Sequence, residues 1–558
     1  MGPYFSVLLA ILVSLFIFLG IPAGIQSAWA QATPSFILEQ ERDGAPARVM
    51  PPEDVAELND PLFNLVLREQ PGVSTLTELE GLLVGESGQE QTFVVSEEIE
   101  SEDPGTPTRP ATRRAVLTFS GENQGEVLDR NVMLSVAFNA NEFPDVQNIE
   151  ALGWDGQQGR YNYYKLDRQS TGAFSWKFRG SSVGAERLSP SQRVGTCLQC
   201  HINGAPVFKE LPLPWNNWHS FSDRAGYLSS SWPVGQDPRI DENLRGAEDL
   251  ETDAIVPAIR QFNATQIAAS ITETADPERL QVLDGPHLLR SLFATTEFNL
   301  ISSNSQVGGL HPFSAFAPGP FSAVQVPDSF FLNADLIGGN GPAQIRGLQI
   351  AAANAFSERA AVEPEEYRQL IADAGVKLGG QAGDANFAWF VPQAGQIDND
   401  RVEQLLSQGI VTPEFVAAVL AIDLETPLLS SAREALLRFV PVQFTFSPLP
   451  AGALPLEVQR HPDDLTQQTI AALIAENPEA GTPAAEFLAL LQSEDPISIL
   501  RERVVAVRDR IAAQLADPTT RPAELVRLHD LAIARRQAIL EDASLSPLDE
   551  FGLLFPIP

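Results

Sequence analysis

Cys197, Leu198, Gln199, Cys200 and His201 put two thiols and an imidazole into five consecutive residues of a chain with only two cysteines and six histidines. Two thiols three apart on a helical turn reach the two vinyl groups of one haem, and the imidazole that follows projects beneath its iron. The pattern reads as the attachment site of a single covalent haem c through Cys197 and Cys200, with His201 as proximal iron ligand. Its rivals fit less well. A thioredoxin-like redox pair stands at a helix start after a parallel strand, and no strand–helix alternation surrounds this segment. A structural zinc site needs a fourth ligand, and there is no second cysteine pair to supply it.

On these residues the segment resembles the c-type cytochromes, over the motif CLQCH and its flank. The resemblance implies thioether bonds at Cys197 and Cys200, axial ligation by His201, and electron transfer through the iron. It implies as partner a redox protein or a small-molecule substrate. The chain departs from the family's commonest pattern at the second ligand. Its methionines are Met1, Met50 and Met133, so none follows the motif. Histidine then becomes the candidate, first His219 in PWNNWHSF, where Trp215 and Trp218 could wall a porphyrin edge. His311, at the head of a Phe- and Pro-rich loop, is next. His287, His461 and His529 read as helix-start, turn and helix-packing residues. If no side chain fills the sixth position, a haem-dependent oxidoreductase of peroxidase or oxygenase type is the alternative.

Composition narrows the partners. The formal charge is −35, which repels nucleic acid and anionic lipid. Between positions 151 and 230 the balance reverses, with nine basic side chains against five acidic ones, so the motif lies in an electropositive island. Phe5 to Ile21 is an apolar run followed by Ala28-Trp29-Ala30, the pattern of a cleaved secretory signal or of an N-terminal anchor. Either places the protein outside the cytoplasm, in the periplasm or an equivalent compartment, and no later segment reads as a membrane span.

Hydrophobic periodicity sets the elements that must position the motif. The fold expected is α+β: a β-meander before the haem segment and a mainly helical region after it. After the signal (1–30) comes an acidic extended arm and linker (31–110), with one helix expected near Glu53 to Asn59. A β-rich segment (111–185) follows, with Phe174, Trp176 and Phe178 alternating against Ser175, Lys177 and Arg179. The haem attachment segment spans 186–235. A helical region with the Phe/Pro-rich loop spans 236–445, and a C-terminal helical region 446–558. Within QIDNDRVEQLL, Asp400 and Glu403 read as a helix capping box rather than a cation loop.

Overall fold

The computed structural model describes residues 39–40, 48–97, 112–138, 149–168, 174–185, 197–206, 218–219, 245–301, 391–426, 429–450 and 464–531, with isolated gaps inside these ranges, and the two-residue strand pieces 324–325, 361–362, 377–378 and 381–382. The architecture is α+β, an antiparallel meander followed by a mainly helical region, as the periodicity indicates.

Six strands run in sequence order across the sheet: β1 (Gln89–Glu97), β2 (Thr112–Ser120), β3 (Val132–Phe138), β4 (Ile149–Asp155), β5 (Arg160–Arg168) and β6 (Phe174–Ser181). A two-residue strand, β7 (Trp218–His219), pairs with β1 at the far edge. Register explains the layers. Val94, Ala115, Val136, Ile149, Leu166 and Trp176 are successive cross-strand neighbours, an apolar row through all six strands. One residue away, Glu150, Lys165 and Lys177 form a polar row on the opposite face. A period of two makes this division inevitable once the register is set.

The apolar face is covered by residues 52–84. Leu58, Leu62, Phe63, Leu65, Val66 and Leu67 pack on it, as do Leu76, Leu79 and Leu83 of helix α1 (Leu76–Val84). Thr75 caps α1 by accepting from the Glu78 N–H, and Trp176 donates its indole N–H to the Val73 carbonyl at 2.8 Å. Residues 52–97 are therefore packed elements rather than an extended arm. Their acidic residues dominate the composition, but their leucines recur at helical spacing and find the sheet.

The opposite face meets helix α2 (Val256–Ala269), whose Phe262 ring lies 6.2 Å from Tyr161. A second core joins helices α3 (Gln396–Gln408), α4 (Pro413–Leu420), α5 (Asp464–Glu476), α6 (Pro483–Leu491) and α7 (Pro496–Ala516). At its centre Phe293, Phe415 and Phe487 meet edge to face, with centroids 5.9–6.2 Å apart. The expected Phe/Pro-rich loop lies outside the described residues apart from 324–325.

One close approach fixes the cover to the sheet. A Cβ on Gly153 of β4 would stand 2.1 Å from Asp60 Oδ1, and Asp60 is wholly buried and held by several hydrogen bonds. Gly153→Ala is expected to cost about 1–3 kcal/mol, because the buried carboxyl cannot swing aside. A lowered urea midpoint with an unchanged slope checks this.

Candidate functional site

The residues around Cys197 sit where β5 and β6 leave a notch. The register shifts between Phe178 and Gly180, so Gly180, at φ +116°, stands opposite Tyr163. Where Gly180 lacks a side chain, Leu198 fills the space: a Cβ there would come within 3.3 Å of its Cδ1. Leu198 is buried, whereas Cys197 is half-buried. Cys197–Gln199 forms a single 3₁₀ turn.

The turn then closes on itself. The His201 N–H donates to the Cys197 carbonyl at 3.0 Å, and the Gly204 N–H to the His201 carbonyl at 2.9 Å. Gly204 has φ +76°, and a Cβ on it would meet the Ser182 backbone at 2.6 Å. The His201 ring packs on the Tyr163 ring with centroids 4.9 Å apart. The Tyr163 hydroxyl donates to the carbonyls of Gly204 (2.7 Å) and Ala205 (3.1 Å). His201 Nδ1 lies 2.9 Å from the Ala205 carbonyl. A carbonyl only accepts, so Nδ1 carries hydrogen, and in the neutral ring the lone pair is on Nε2.

Charge gathers on the same face. Asp167 meets Lys177 at 3.5 Å, Arg179 at 2.5 Å and Lys165 at 4.0 Å, and Lys165 also meets Glu150 at 3.4 Å. Among the described residues, Lys165, Lys177 and Arg179 thus gather around Asp167 on the face that bears the turn. These cations belong to the basic stretch between positions 151 and 230.

Beyond the turn a polar chain reaches the helical region. Asn203 donates its side-chain amide to Thr296 Oγ1 at 3.2 Å, and the Thr296 N–H donates to Asp398 Oδ2 at 2.9 Å. Thr296 Oγ1 also bonds Asp398 Oδ1. Asp398, Asn399 and Asp400 are all buried near the start of α3. The helix cap is Gly395, so Asp400 is an interior residue rather than half of a capping box. It accepts from Asn263 of α2 at 2.8 Å and from Gln404 at 2.7 Å.

The comparisons add no relative: no family model, no curated protein and no solved structure matches the chain. Together with the geometry this corrects the cytochrome reading. The c-type cytochrome resemblance ends at five residues, and nothing beyond CLQCH extends it. His219, put forward as the second iron ligand, is on β7 at the opposite edge of the sheet. Five inter-strand spacings separate it from the Tyr163 strand, about 24 Å measured across the sheet. His201 and His219 therefore do not flank one iron. The His201 ring is instead committed on one face to Tyr163 and at Nδ1 to Ala205. Among the described residues, no three His, Cys, Asp or Glu side chains converge in a metal-binding group. The single covalent haem c, the electron transfer assigned to it and the alternative of a haem-dependent oxidoreductase are all withdrawn on these grounds.

Of the other sequence candidates, Cys200, Trp215 and His311 lie outside the described residues, and Trp218 is described only as a partner of Glu97 in the strand pairing. Tyr163, Gly180 and the chain from Asn203 to Asp398 were not legible as site residues. The only sequence signals were the glycine that ends the alternation of β6 and the tyrosines crowded into YNYY.

Proposed function

We propose that the turn 197–206 is a thiol–disulfide exchange centre, acting on disulfides of other proteins. One observation carries the reading. The closure of the His201 N–H onto the Cys197 carbonyl puts the thiol-bearing and imidazole-bearing residues at the two ends of one turn. A basic imidazole nitrogen and a cation-rich sheet face both favour the thiolate, which is the reactive form. Cys197, half-buried, is the attacking thiol, and Cys200 follows at the spacing of a resolving thiol. Cys197 thiolate attacks a sulfur of the substrate disulfide and releases one substrate thiolate. Cys200 then attacks the mixed disulfide, forming the Cys197–Cys200 disulfide and releasing the second. Two electrons and two protons pass from the dithiol to the substrate: the Cys197 proton by way of His201 and the Cys200 proton directly to the departing substrate thiolates, which leave as thiols. The surrounding sheet is antiparallel, so this is not a thioredoxin-like fold. The chemistry needs the site, not that scaffold.

Export through residues 1–30, read from the sequence, suits this role, since disulfides form and persist outside the cytoplasm. Among the described residues no helix is long and apolar enough to cross a membrane.

The test is the pH dependence of Cys197 alkylation by iodoacetamide. The expected midpoint lies below the free-thiol value of about 8.5, and His201→Ala moves it back up. A midpoint at the free-thiol value in both proteins overturns the reading. Tyr163→Phe is a milder probe: it keeps the ring packing but takes the hydroxyl donor from the Gly204 and Ala205 carbonyls, leaving Ala205 its bond from His201 Nδ1. It is expected to cost about 1–2 kcal/mol in urea unfolding.

A further inference from the structure

On the other face of the same strands lies a buried cluster that the exchange chemistry does not use. Asp60 belongs to the segment that covers the sheet, just before the π-helical turn Phe63–Leu67. Its Oδ1 accepts from the Phe63 N–H at 2.9 Å. Its Oδ2 accepts from the Asn162 amide at 2.9 Å and from the Tyr164 hydroxyl at 2.5 Å. These contacts cross from the cover to β5. Two further bonds run alongside, from Gln158 (3.1 Å) and Arg160 (3.0 Å) to the Glu57 carbonyl. Asp60 is thus the buried centre of a polar fastening whose outer bonds run to the Glu57 carbonyl and from Asn64 to Glu126.

The charged and titratable groups facing that carboxyl are few. From β4 comes Asp155, with no exposed surface; from β5 come Tyr164 and Arg160. Two acceptors in the cluster, Asp155 Oδ2 and Asn162 Oδ1, are buried and have no hydrogen-bond partner, and neither does the donor Arg160 Nε. Arg160 Nε lies 3.8 Å from Asp155 Oδ2, too far for a hydrogen bond. The site therefore already holds more acceptor capacity than it satisfies. A second negative charge on Asp60 would be desolvated and set beside Asp155.

We propose that this cluster is a proton-operated latch: a protonated Asp60 fastens residues 52–67 to the sheet, and loss of its proton releases them. Desolvation, the largest influence, raises the Asp60 pKa above the ordinary 3.8; bonds from Tyr164, Phe63 and Asn162 oppose it and Asp155 reinforces it. A carboxyl whose folded pKa is raised contributes its stability fully below about 3.8 and loses it as pH climbs through the folded value. The latch is thus closed on the acid side and loosened as pH rises. Opening it would expose the apolar row from Val94 to Trp176.

Hydrogen exchange of the amides of residues 62–67, corrected for intrinsic rates and followed with pH in the full chain, tests the proposal. Protection is expected to fall as pH rises, in step with loss of a carboxylic-acid infrared band from the wild-type protein. Asp60→Asn should keep these amides protected across the range, because the unpartnered Asn162 Oδ1 can accept from the new amide. Asp155→Asn should shift the transition to lower pH, since the Asp155 charge is among the influences that raise Asp60; a transition that stays in place or moves up overturns the assignment to Asp60. Should Asp60→Asn fail to fold, the wild-type band alone decides. A band that disappears in the ordinary aspartate range, or protection that does not change with pH, overturns the latch.

Discussion

Cys197→Ser is expected to abolish exchange with a protein disulfide, a loss of about a thousand-fold or more, equivalent to about 4 kcal/mol of barrier. A hydroxyl at this position retains the turn, because the turn is held by backbone atoms: the His201 N–H on the Cys197 carbonyl and the Gly204 N–H on the His201 carbonyl. Leu198 also keeps its seat over Gly180. The serine protein should therefore unfold at the same urea concentration as the wild type while losing the reaction. Cys200→Ser should behave differently, trapping a mixed disulfide between Cys197 and the substrate. Mass spectrometry of the two variants after incubation with a disulfide-bonded substrate checks both. Equal activity in wild type and Cys197→Ser would remove the thiol from the chemistry.

Trp176→Ala is expected to have the largest effect on stability, about 3–5 kcal/mol. Trp176 ends the apolar row that runs through all six strands, and it is almost fully buried. Its indole also donates to the Val73 carbonyl, which leads into α1. Removing it leaves a cavity between β6 and the cover and takes the donor from a buried carbonyl. Those two penalties add. Trp176→Phe keeps most of the volume and loses the donor, so it should recover the larger part of the loss. Denaturation of the three proteins, followed by the fluorescence of the remaining tryptophans, separates the two contributions.

Much of the fold was legible because its elements have clean periods. The alternation of Phe174, Trp176 and Phe178 with polar neighbours marks β6, and TPEFVAAVLAID shows α4 with its Thr412 cap and Pro413 at the first position. The first hundred residues were harder. Acidic, proline-containing composition suggests a solvated arm, and only the tertiary packing of Leu58, Leu62, Leu79 and Leu83 on the sheet shows otherwise. Asp400 and Glu403 fit a capping box by spacing, but Gly395 starts the helix earlier and turns Asp400 inward to Asn263.

The site divides along the same line. CLQCH suggested a haem that is withdrawn; what its local spacing does encode is the closure of His201 back onto Cys197 within one turn. The pairing of His201 with a distant histidine depended on a contact that no local pattern specifies. The strand pairing His219↔Ser96 sends that residue to the far edge, while Tyr163, 38 residues upstream of His201, takes the place beside the ring. Arg179 shows the same limit: alternation puts it on the polar face, yet the ion pair with Asp167 lets it be buried there.

Peptide mass mapping of Cys197 and Cys200 after alkylation, with and without prior reduction, tests the central claim most directly. Thiol–disulfide exchange predicts two alkylated cysteines in the reduced protein and one unmodified Cys197–Cys200 disulfide after incubation with a substrate disulfide. Cysteines that carry a covalent adduct in both states, or that never form the disulfide, would contradict it.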